Sequence, residues 1–532
     1  MSTKPESTAR ATAPLIALVL GATLLIAIAF RFATVSDLWL DEALTVNIAR
    51  LPLGDLQEAL KHDGAPPLYY VLLHGWMKVF GTGDVAVRAL SGLLGLAMLP
   101  LAYFSGRSLI RRRSMTAEVA EPGDGGARAG EASWVAWAAV LVVASSPYAI
   151  RYSTEARMYM LAMDLVLVGY LVVWKAVERP TWPRLAGIAL VTAALLLTQY
   201  WALFLLLVVG VVFLARALRA PEPERPTAWK VVGALVVGGI LFLPWFPTFL
   251  YQQQHTGTPW DTPSSPPTNT ALGFIDFAGG KAAEGYTLVL PIVLLALLAL
   301  FARAIDGRRM ELDLHTVPGV RWEWLVGAAT LLVGLGLSFV ARTGFQSRYA
   351  AVMWPLFALA VAFGVLTFAN PRLRVAVLAL VVVLGFVGGV RNVITNRTQA
   401  SQVVDVITAE AKAGDVVAYC PDQLGPDVSR LIPGNLGVRQ YAFPDLQSPR
   451  FVDWVDYADR NHAASVDEFV DRILERAGDH RVWLVWSPRY LTFEGKCEAI
   501  VDELARRRPQ HAMPVTPDES IYEFMGLRRY DP

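Results

Sequence analysis

The sequence predicts a polytopic α-helical membrane protein of about 11 transmembrane helices with a C-terminal soluble α/β domain. Hydrophobic residues make up 54% of the 532-residue chain and charged residues only 17%, where an ordinary soluble domain carries about 25% charged residues. Several apolar runs reach the roughly 20 residues that a helix needs to cross the hydrocarbon core. Beyond residue 391 such runs stop, and the remaining stretch holds 22 acidic and 16 basic residues. Mean hydropathy over the whole chain is +0.41, so the lipid bilayer is the expected surrounding. A net charge of +1 points to no nucleic-acid partner. Abundant Ala, Val, Arg and Gly suggest a GC-rich genome, and a bacterial plasma membrane is the expected location.

The spans fall near 14–33, 85–106, 134–150, 157–174, 185–199, 201–215, 231–250, 286–302, 322–341, 349–369 and 375–391. The first ends at Arg31 and Phe32 with no small-residue cleavage pattern after it. It reads as a retained helix, not a signal peptide. With Lys4 and Arg10 in the cytoplasm, the even-numbered spans end in five basic clusters on that side. They are Arg107 with Arg111 to Arg113; Lys175, Arg179 and Arg184; Arg216, Arg219, Arg225 and Lys230; Arg303, Arg308 and Arg309; and Arg372 with Arg374. This follows the positive-inside rule. The Gly-, Glu- and Ala-rich stretch 115–132 then reads as a flexible cytoplasmic loop.

The opposite face receives Asp41 and Glu42, residues 43–84, the loops 146–157, 251–285 and 342–348, and everything after about 392. A first loop of more than about forty residues with helical patterning is more than a connector. Residues 53–60 are amphipathic, and Pro66 and Pro67 can open a second helix through Tyr69, Tyr70, Leu73 and Trp76 to Gly81. Too short to span and too apolar to float, both are expected in the interface plane. Residues 392–532 form the expected extracytoplasmic α/β domain, with strands at 415–420 and 481–486 and helices at 466–476 and 497–508. In an oxidising compartment Cys420 and Cys497 can pair.

Chemistry is expected first at the adjacent carboxylates Asp41 and Glu42, just past the first span. Two acids where the chain turns along the membrane suggest a site that needs a base or a cation contact. Helical neighbours point about 100° apart, so the two are not expected to share one task. Asp41 is the candidate base, and Glu42 fixes the loop or pairs with a basic residue.

The residues around this pair resemble a known family. The stretches 40–43 (LDEA), 62–70 (HDGAPPLYY), 73–76 (LHGW) and 88–91 (RALS), with Phe80 and Gly81, look like the first extracytoplasmic loop of GT-C glycosyltransferases. The resemblance is to the protein O-mannosyltransferase and aminoarabinose-transferase group, glycosyltransferase family 39-like. Residues 146–159 (SPYAIRYSTEARMY) and Arg348, Tyr349 and Pro355 fit as well. The likeness covers roughly 1–370 and is dense only in the first 110 residues. It departs at Gln199 and Tyr200, where many relatives carry His-Tyr. It implies a catalytic membrane domain over 1–391, with 43–84 as its interfacial helices. It also implies inverting transfer of a sugar from a polyprenyl-phosphate donor to an acceptor outside the cytoplasm. Mannose is the favoured sugar and arabinose the runner-up. A cell-envelope glycan or lipoglycan is the expected acceptor, and a protein the alternative.

Within that frame the expected catalytic pair is Asp41 and Glu42. The substrate-binding set is His62, Asp63, Tyr69, Glu155, Arg157, Tyr159, Arg348 and Tyr349. His62 contacts donor phosphate or sugar, or is a polar loop residue. Asp63 binds acceptor or caps the following helix. Arg157 or Arg348 offers the planar fork that suits the leaving phosphate, with a structural pair from Arg157 to Glu155 or Asp41, or plain interface anchoring by Arg348, as the alternatives. Lys281 is a weaker candidate for the same contact. His74 reads as a packed histidine, and the loop 251–285 as a gate or an unspecialised connection. Asp41, Glu42, His62 and Asp63 can ligate a divalent cation but show no ligand spacing, so no metal or other cofactor is expected. A flippase for the same lipid-linked sugar should show internal repeats and charges at the midplane; no repeat is visible and the charges cluster on one face.

Overall fold

The computed structural model describes residues 6–116, 125–258, 261, 265–306, 308–317 and 319–532. Lys4, residues 117–124 of the predicted loop 115–132, and Trp260 and Pro263 of the loop 251–285 lie outside them. The helices run α1 (Glu6–Phe30), α2 (Leu40–Ala49), α3 (Leu56–Asp63), α4 (Leu68–Phe80), α5 (Asp84–Thr116), α6 (Gly125–Ser145), α7 (Pro147–Ser153), α8 (Tyr159–Glu178) and α9 (Trp182–Leu196). There follow α10 (Ala202–Arg219), α11 (Arg225–Phe242), α12 (Phe246–His255), α13 (Pro266–Phe277), α14 (Ala283–Phe301), α15 (Arg321–Val340), α16 (Trp354–Gly364) and α17 (Pro371–Ile394). Among the described residues, seven helices are long and apolar enough to cross a membrane. An eighth candidate span is the pair α6 and α7, bent by 59°. Three shorter apolar helices, Leu18–Phe30, Trp182–Leu196 and Trp354–Thr367, complete the set. Each of the predicted spans has its helix.

Local chemistry explains the departures. Ser146 accepts a hydrogen bond from the Ala149 N–H, and Pro147 takes the first helical position, so α6 ends and α7 begins there. Arg31, buried, donates to the carbonyls of Val143 and Ala144 at 3.0 and 3.2 Å, satisfying the open end of α6. What reads as a connecting loop in 146–157 therefore carries a helical turn. The described ends of 115–132 are helical too, because α5 and α6 run on past the apolar runs. Between α14 and α15 a small hairpin pairs β1 (Ala302–Ala304) with β2 (Met310–Leu312). Helix α16 is apolar all round and buried along its whole length, as a central helix should be. Helix α17 packs tightly on α6: a Cβ at Gly385 would meet the Ser145 carbonyl oxygen at 2.6 Å.

In the first loop, α3 buries Leu56 and Leu60, and α4 buries Tyr69, Tyr70, Leu73, His74 and Met77. Helix α4 leaves Val71, Leu72, Val79 and Phe80 exposed, an apolar outward face. Asp63 does not cap it. Pro67 stands at the start of α4 with no side-chain cap, and Asp63 ends the preceding helix.

The C-terminal unit is a five-stranded sheet in the order β4-β3-β5-β7-β6. Its strands are β3 (Val416–Cys420), β4 (Arg439–Ala442), β5 (Val482–Trp486), β6 (His511–Val515) and β7 (Gly526–Tyr530). Strand β3 pairs in parallel with β4 and β5, while β7 runs antiparallel to β5 and β6. Every residue of β3 and β5 is buried, as expected where helices cover both faces. Val417, Tyr419, Trp483 and Val485 pack with α18 (Ala400–Glu410) and α19 (Gly425–Leu431). Val416, Ala418, Val482 and Leu484 face the other way, toward α21 (Val466–Ala477) and α22 (Lys496–Arg507), after the short α20 (Tyr457–Ala463). Cys420 and Cys497 form a disulfide with Cα atoms 5.4 Å apart.

Candidate active site at the start of helix α2

Helix α2 opens after an extended Trp39 and carries Asp41 and Glu42 in its first turn, where the helix dipole favours acids. The roughly 100° between neighbours then separates them. Glu42 points inward and is fully buried. Arg88 grips it bidentately, Nε to Oε1 at 2.7 Å and Nη2 to Oε2 at 2.5 Å. The Ala156 N–H adds 2.9 Å to Oε1, and Arg397 stands 3.7 Å from Oε2. Burial alone would push the Glu42 carboxyl up; Arg88, with help from Arg397, outweighs it and holds the carboxyl below its ordinary range. Arg88 also donates to the Ser36 and Asp37 carbonyls at 2.6 and 2.9 Å. Glu42 is thus a tie between α2, α5 and the 155–157 turn, out of reach of a substrate.

Asp41 turns the other way, and its side chain is 15% exposed. Its Oδ2 lies 3.0 Å from Arg348 Nη1 and 4.0 Å from Arg157 Nη2. Arg157 is steadied by Thr45 Oγ1 at 2.6 Å and by the Tyr70 hydroxyl oxygen at 3.2 Å. Tyr70 in turn donates to Asp63 at 2.5 Å. Burial raises the Asp63 carboxyl above its usual range, against the pull of Arg157. The guanidinium of Arg348 also sits over the rings of Trp39 and Tyr349, at 5.6 and 5.9 Å. Asp63, Tyr70, Arg157, Asp41 and Arg348 therefore form one chain of contacts.

Other expected residues frame this chain or lie off it. Glu155 is 1% exposed, 3.0 Å from Arg151, and 4.0 Å from Arg397. Tyr159 is buried, its ring 4.9 Å from that of Tyr152. Tyr69 is buried with its hydroxyl 3.0 Å from Ser91 Oγ, turned toward α5. His62 faces the C-terminal unit: Nδ1 is 2.7 Å from Asp453, and its carbonyl accepts the Trp454 N–H. His74 is packed, with Nδ1 2.8 Å from the Ala49 carbonyl. Lys281 is exposed. Gln199 donates to the Arg348 and Tyr349 carbonyls at 3.2 Å each and so fixes that turn. In 251–285 the described residues are largely helical, and Gln252 is buried with bonds to the Leu60 and Ala65 carbonyls. Among the described residues no group of three or more His, Cys, Asp or Glu side chains is placed to hold a metal ion.

Arg397, Glu523 and the role of Arg88 lie outside the residues expected from the sequence. Arg88 lies inside the quoted 88–91 stretch, which is the one signal available. Arg397 donates to the Thr154 carbonyl and hydroxyl at 2.9 and 2.7 Å. Burial, with Arg151 nearby, lowers its pKa to about 9. Glu523 accepts the Leu40 N–H at 3.1 Å, one residue before Asp41. Helix α19 packs on α2. A cavity of about 580 Å³ adjoins this cluster, with Trp39, Glu155, Arg348 and Arg397 in its walls beside residues 519–522.

No family model matches the chain, and no curated protein matches it by sequence. Solved structures do. The apo crystal structure of ArnT, an aminoarabinose transferase from Cupriavidus metallidurans, aligns with a TM-score of 0.57 at 12% identity, over 97% of this chain and 98% of that one. This chain has the GT-C fold. The same ArnT bound to undecaprenyl phosphate aligns at 0.56, also at 12% identity and with the same coverage. The Archaeoglobus fulgidus oligosaccharyltransferase tethered to an acceptor peptide reaches 0.48 at 10% identity, over 91% of this chain and 71% of that one.

Proposed function

We propose that this protein is an integral-membrane inverting glycosyltransferase. It moves a sugar from a polyprenyl-phosphate donor to a cell-envelope glycan or lipoglycan outside the cytoplasm. The observation that carries the reading is one partly exposed carboxylate, Asp41, set between two arginines at the junction of the membrane helices and the C-terminal unit. Asp41 takes the proton of the acceptor hydroxyl as that oxygen attacks the anomeric carbon. The bond from that carbon to the phosphate oxygen breaks, and its electron pair leaves with the polyprenyl phosphate. Arg157 and Arg348 receive the phosphate charge in their planar forks. A single displacement inverts the anomeric centre. Asp41 then returns its proton to water, and no metal is needed for any step.

Three further features support the reading. The basic clusters favour a cytoplasmic N-terminus, with Asp41 on the opposite face. The Cys420–Cys497 disulfide suits an oxidising compartment for the C-terminal domain, 392–532. The structurally similar ArnT binds undecaprenyl phosphate. Mannose is the proposed sugar and arabinose the runner-up. Purified protein in nanodiscs, offered mannosyl and arabinosyl polyprenyl phosphates with envelope glycan, should release polyprenyl phosphate and form a glycoside of inverted configuration. Turnover of neither donor, or retention of configuration, would count against this function.

A further inference from the structure

We infer that Glu523 and Asp427 are positioning residues for Asp41: a carboxyl pair that shares one proton, holds the start of α2 against α19, and lets go of it when that proton is lost. The inference rests on the proposed transfer reaction and adds its regulation by pH. Helix α2 does not cap itself. Trp39 stands at its cap position and makes no side-chain cap bond, so the first N–H groups need an acceptor from elsewhere. Glu523 brings one from the C-terminal unit, with Oε1 3.1 Å and Oε2 3.3 Å from the Leu40 nitrogen. Leu40 directly precedes Asp41, so this cap fixes the turn that carries the proposed base.

The surrounding backbone leaves Glu523 little freedom. Its N–H donates to the Arg397 carbonyl at 2.9 Å, and its carbonyl accepts the Gln399 N–H at 3.2 Å. The Arg397 N–H donates to Ser36 Oγ at 2.9 Å, which ties the chain entering α2 to the same segment. Thr398 donates to Asp427 Oδ2 at 2.9 Å. Asp427 is fully buried in the first turn of α19, and α19 packs on α2. The carboxyls of Asp427 and Glu523 lie within hydrogen-bond reach of each other.

Two carboxyls meet in this way only while a proton lies between them. Loss of water and the facing Asp427 push the Glu523 carboxyl well above the usual carboxylate range. Burial pushes Asp427 up to about 6. The other titratable groups facing the pair are Tyr419 of β3 and Tyr490 of the segment before α22, both kept neutral by burial. The charged groups nearby are committed elsewhere. Arg397 bonds Thr154, Arg430 meets Asp84, Asp41 meets Arg348, and Glu42 is held by Arg88. When rising pH sends the shared proton to water, two anions face each other with no cation between them. The starts of α2 and α19 then separate, and Asp41 loses its place between Arg157 and Arg348.

The test uses the full-length protein in nanodiscs. Transfer from a polyprenyl-phosphate donor is measured from about pH 5 to about pH 10. Hydrogen exchange of residues 38–46, corrected for its intrinsic pH dependence, is measured over the same range. Wild type should lose kcat and exchange protection together at the alkaline end, with KM for the donor unchanged. Glu523→Gln keeps an acceptor for Leu40 and a donor for Asp427 but has no proton to lose. Its alkaline limb and its loss of protection should move to higher pH by at least about one unit. Glu523→Ala should lower kcat at least tenfold and expose residues 38–46 to exchange, while binding undecaprenyl phosphate as wild type does. An unmoved alkaline limb and unmoved protection in Glu523→Gln, or wild-type kcat and exchange in Glu523→Ala, would overturn the inference. If wild type transfers no sugar, the proposed reaction fails, and the exchange of the three proteins still decides the role of the pair.

Discussion

Asp41 and Glu42 differ by one methylene and by a helical step of about 100°. Turned inward, Glu42 loses water and gains Arg88, Arg397 and the Ala156 N–H. Turned outward, Asp41 keeps partial exposure beside Arg157 and Arg348. Removing one partner of a buried ion pair leaves an uncompensated charge and typically costs about 3–5 kcal/mol. Arg88→Met should therefore lower the melting temperature of the purified protein markedly, whereas a substitution at exposed Lys281 should not. A melting curve like that of wild type would show that the Glu42 tie is dispensable. The split between the two acids was legible in the sequence, because it follows from helical geometry alone. The fate of Asp63 was not. Its partner Tyr70 lies beyond a proline turn, so the contact belongs to tertiary structure rather than to local capping. Arg397 was equally hidden, since its partners Thr154 and Glu42 lie far away in the chain.

At the scale of elements, the C-terminal unit holds buried acids that prefer to be protonated. Burial pushes Asp422 up to about 7 and Asp427 up to about 6, and it also raises Glu523. In the unfolded chain such carboxyls titrate near about 4. Between about pH 4 and pH 7 the folded state thus binds more protons than the unfolded state, and stability falls as pH rises through that window. The melting temperature should decline from pH 4.5 to pH 7.5, and the slope should flatten in Asp427→Asn. A melting temperature that climbs across the window would contradict the burial argument. Elements were legible where burial is simple. Strands β3 and β5, covered on both faces, read as continuous apolar runs, and α21 and α22 show helical spacing. Strands β4, β6 and β7 did not stand out. Strand β7 carries Arg528 and Arg529 in mid-strand, and β6 is an edge strand whose Pro514 sits at a register shift.

At the scale of the whole molecule, the apolar runs gave every membrane helix, because length and hydropathy suffice in lipid. The docking of the C-terminal unit was not legible. It rests on the packing of α19 against α2 and on long-range contacts such as Glu523 on Leu40, Asp453 on His62, and Arg430 on Asp84 at 2.7 Å. Through these contacts the unit closes over α2, so Asp41 and the two arginines beside it lie at one junction with the C-terminal unit. Asp41 is the proposed base at that junction. The most direct measurement is single-turnover transfer by Asp41→Asn with a polyprenyl-phosphate donor and envelope glycan, alongside undecaprenyl phosphate binding. If Asp41 is the base, the variant should transfer at a rate at least about 100-fold below wild type, with lipid-phosphate binding kept. A variant that transfers sugar at the wild-type rate would contradict that assignment.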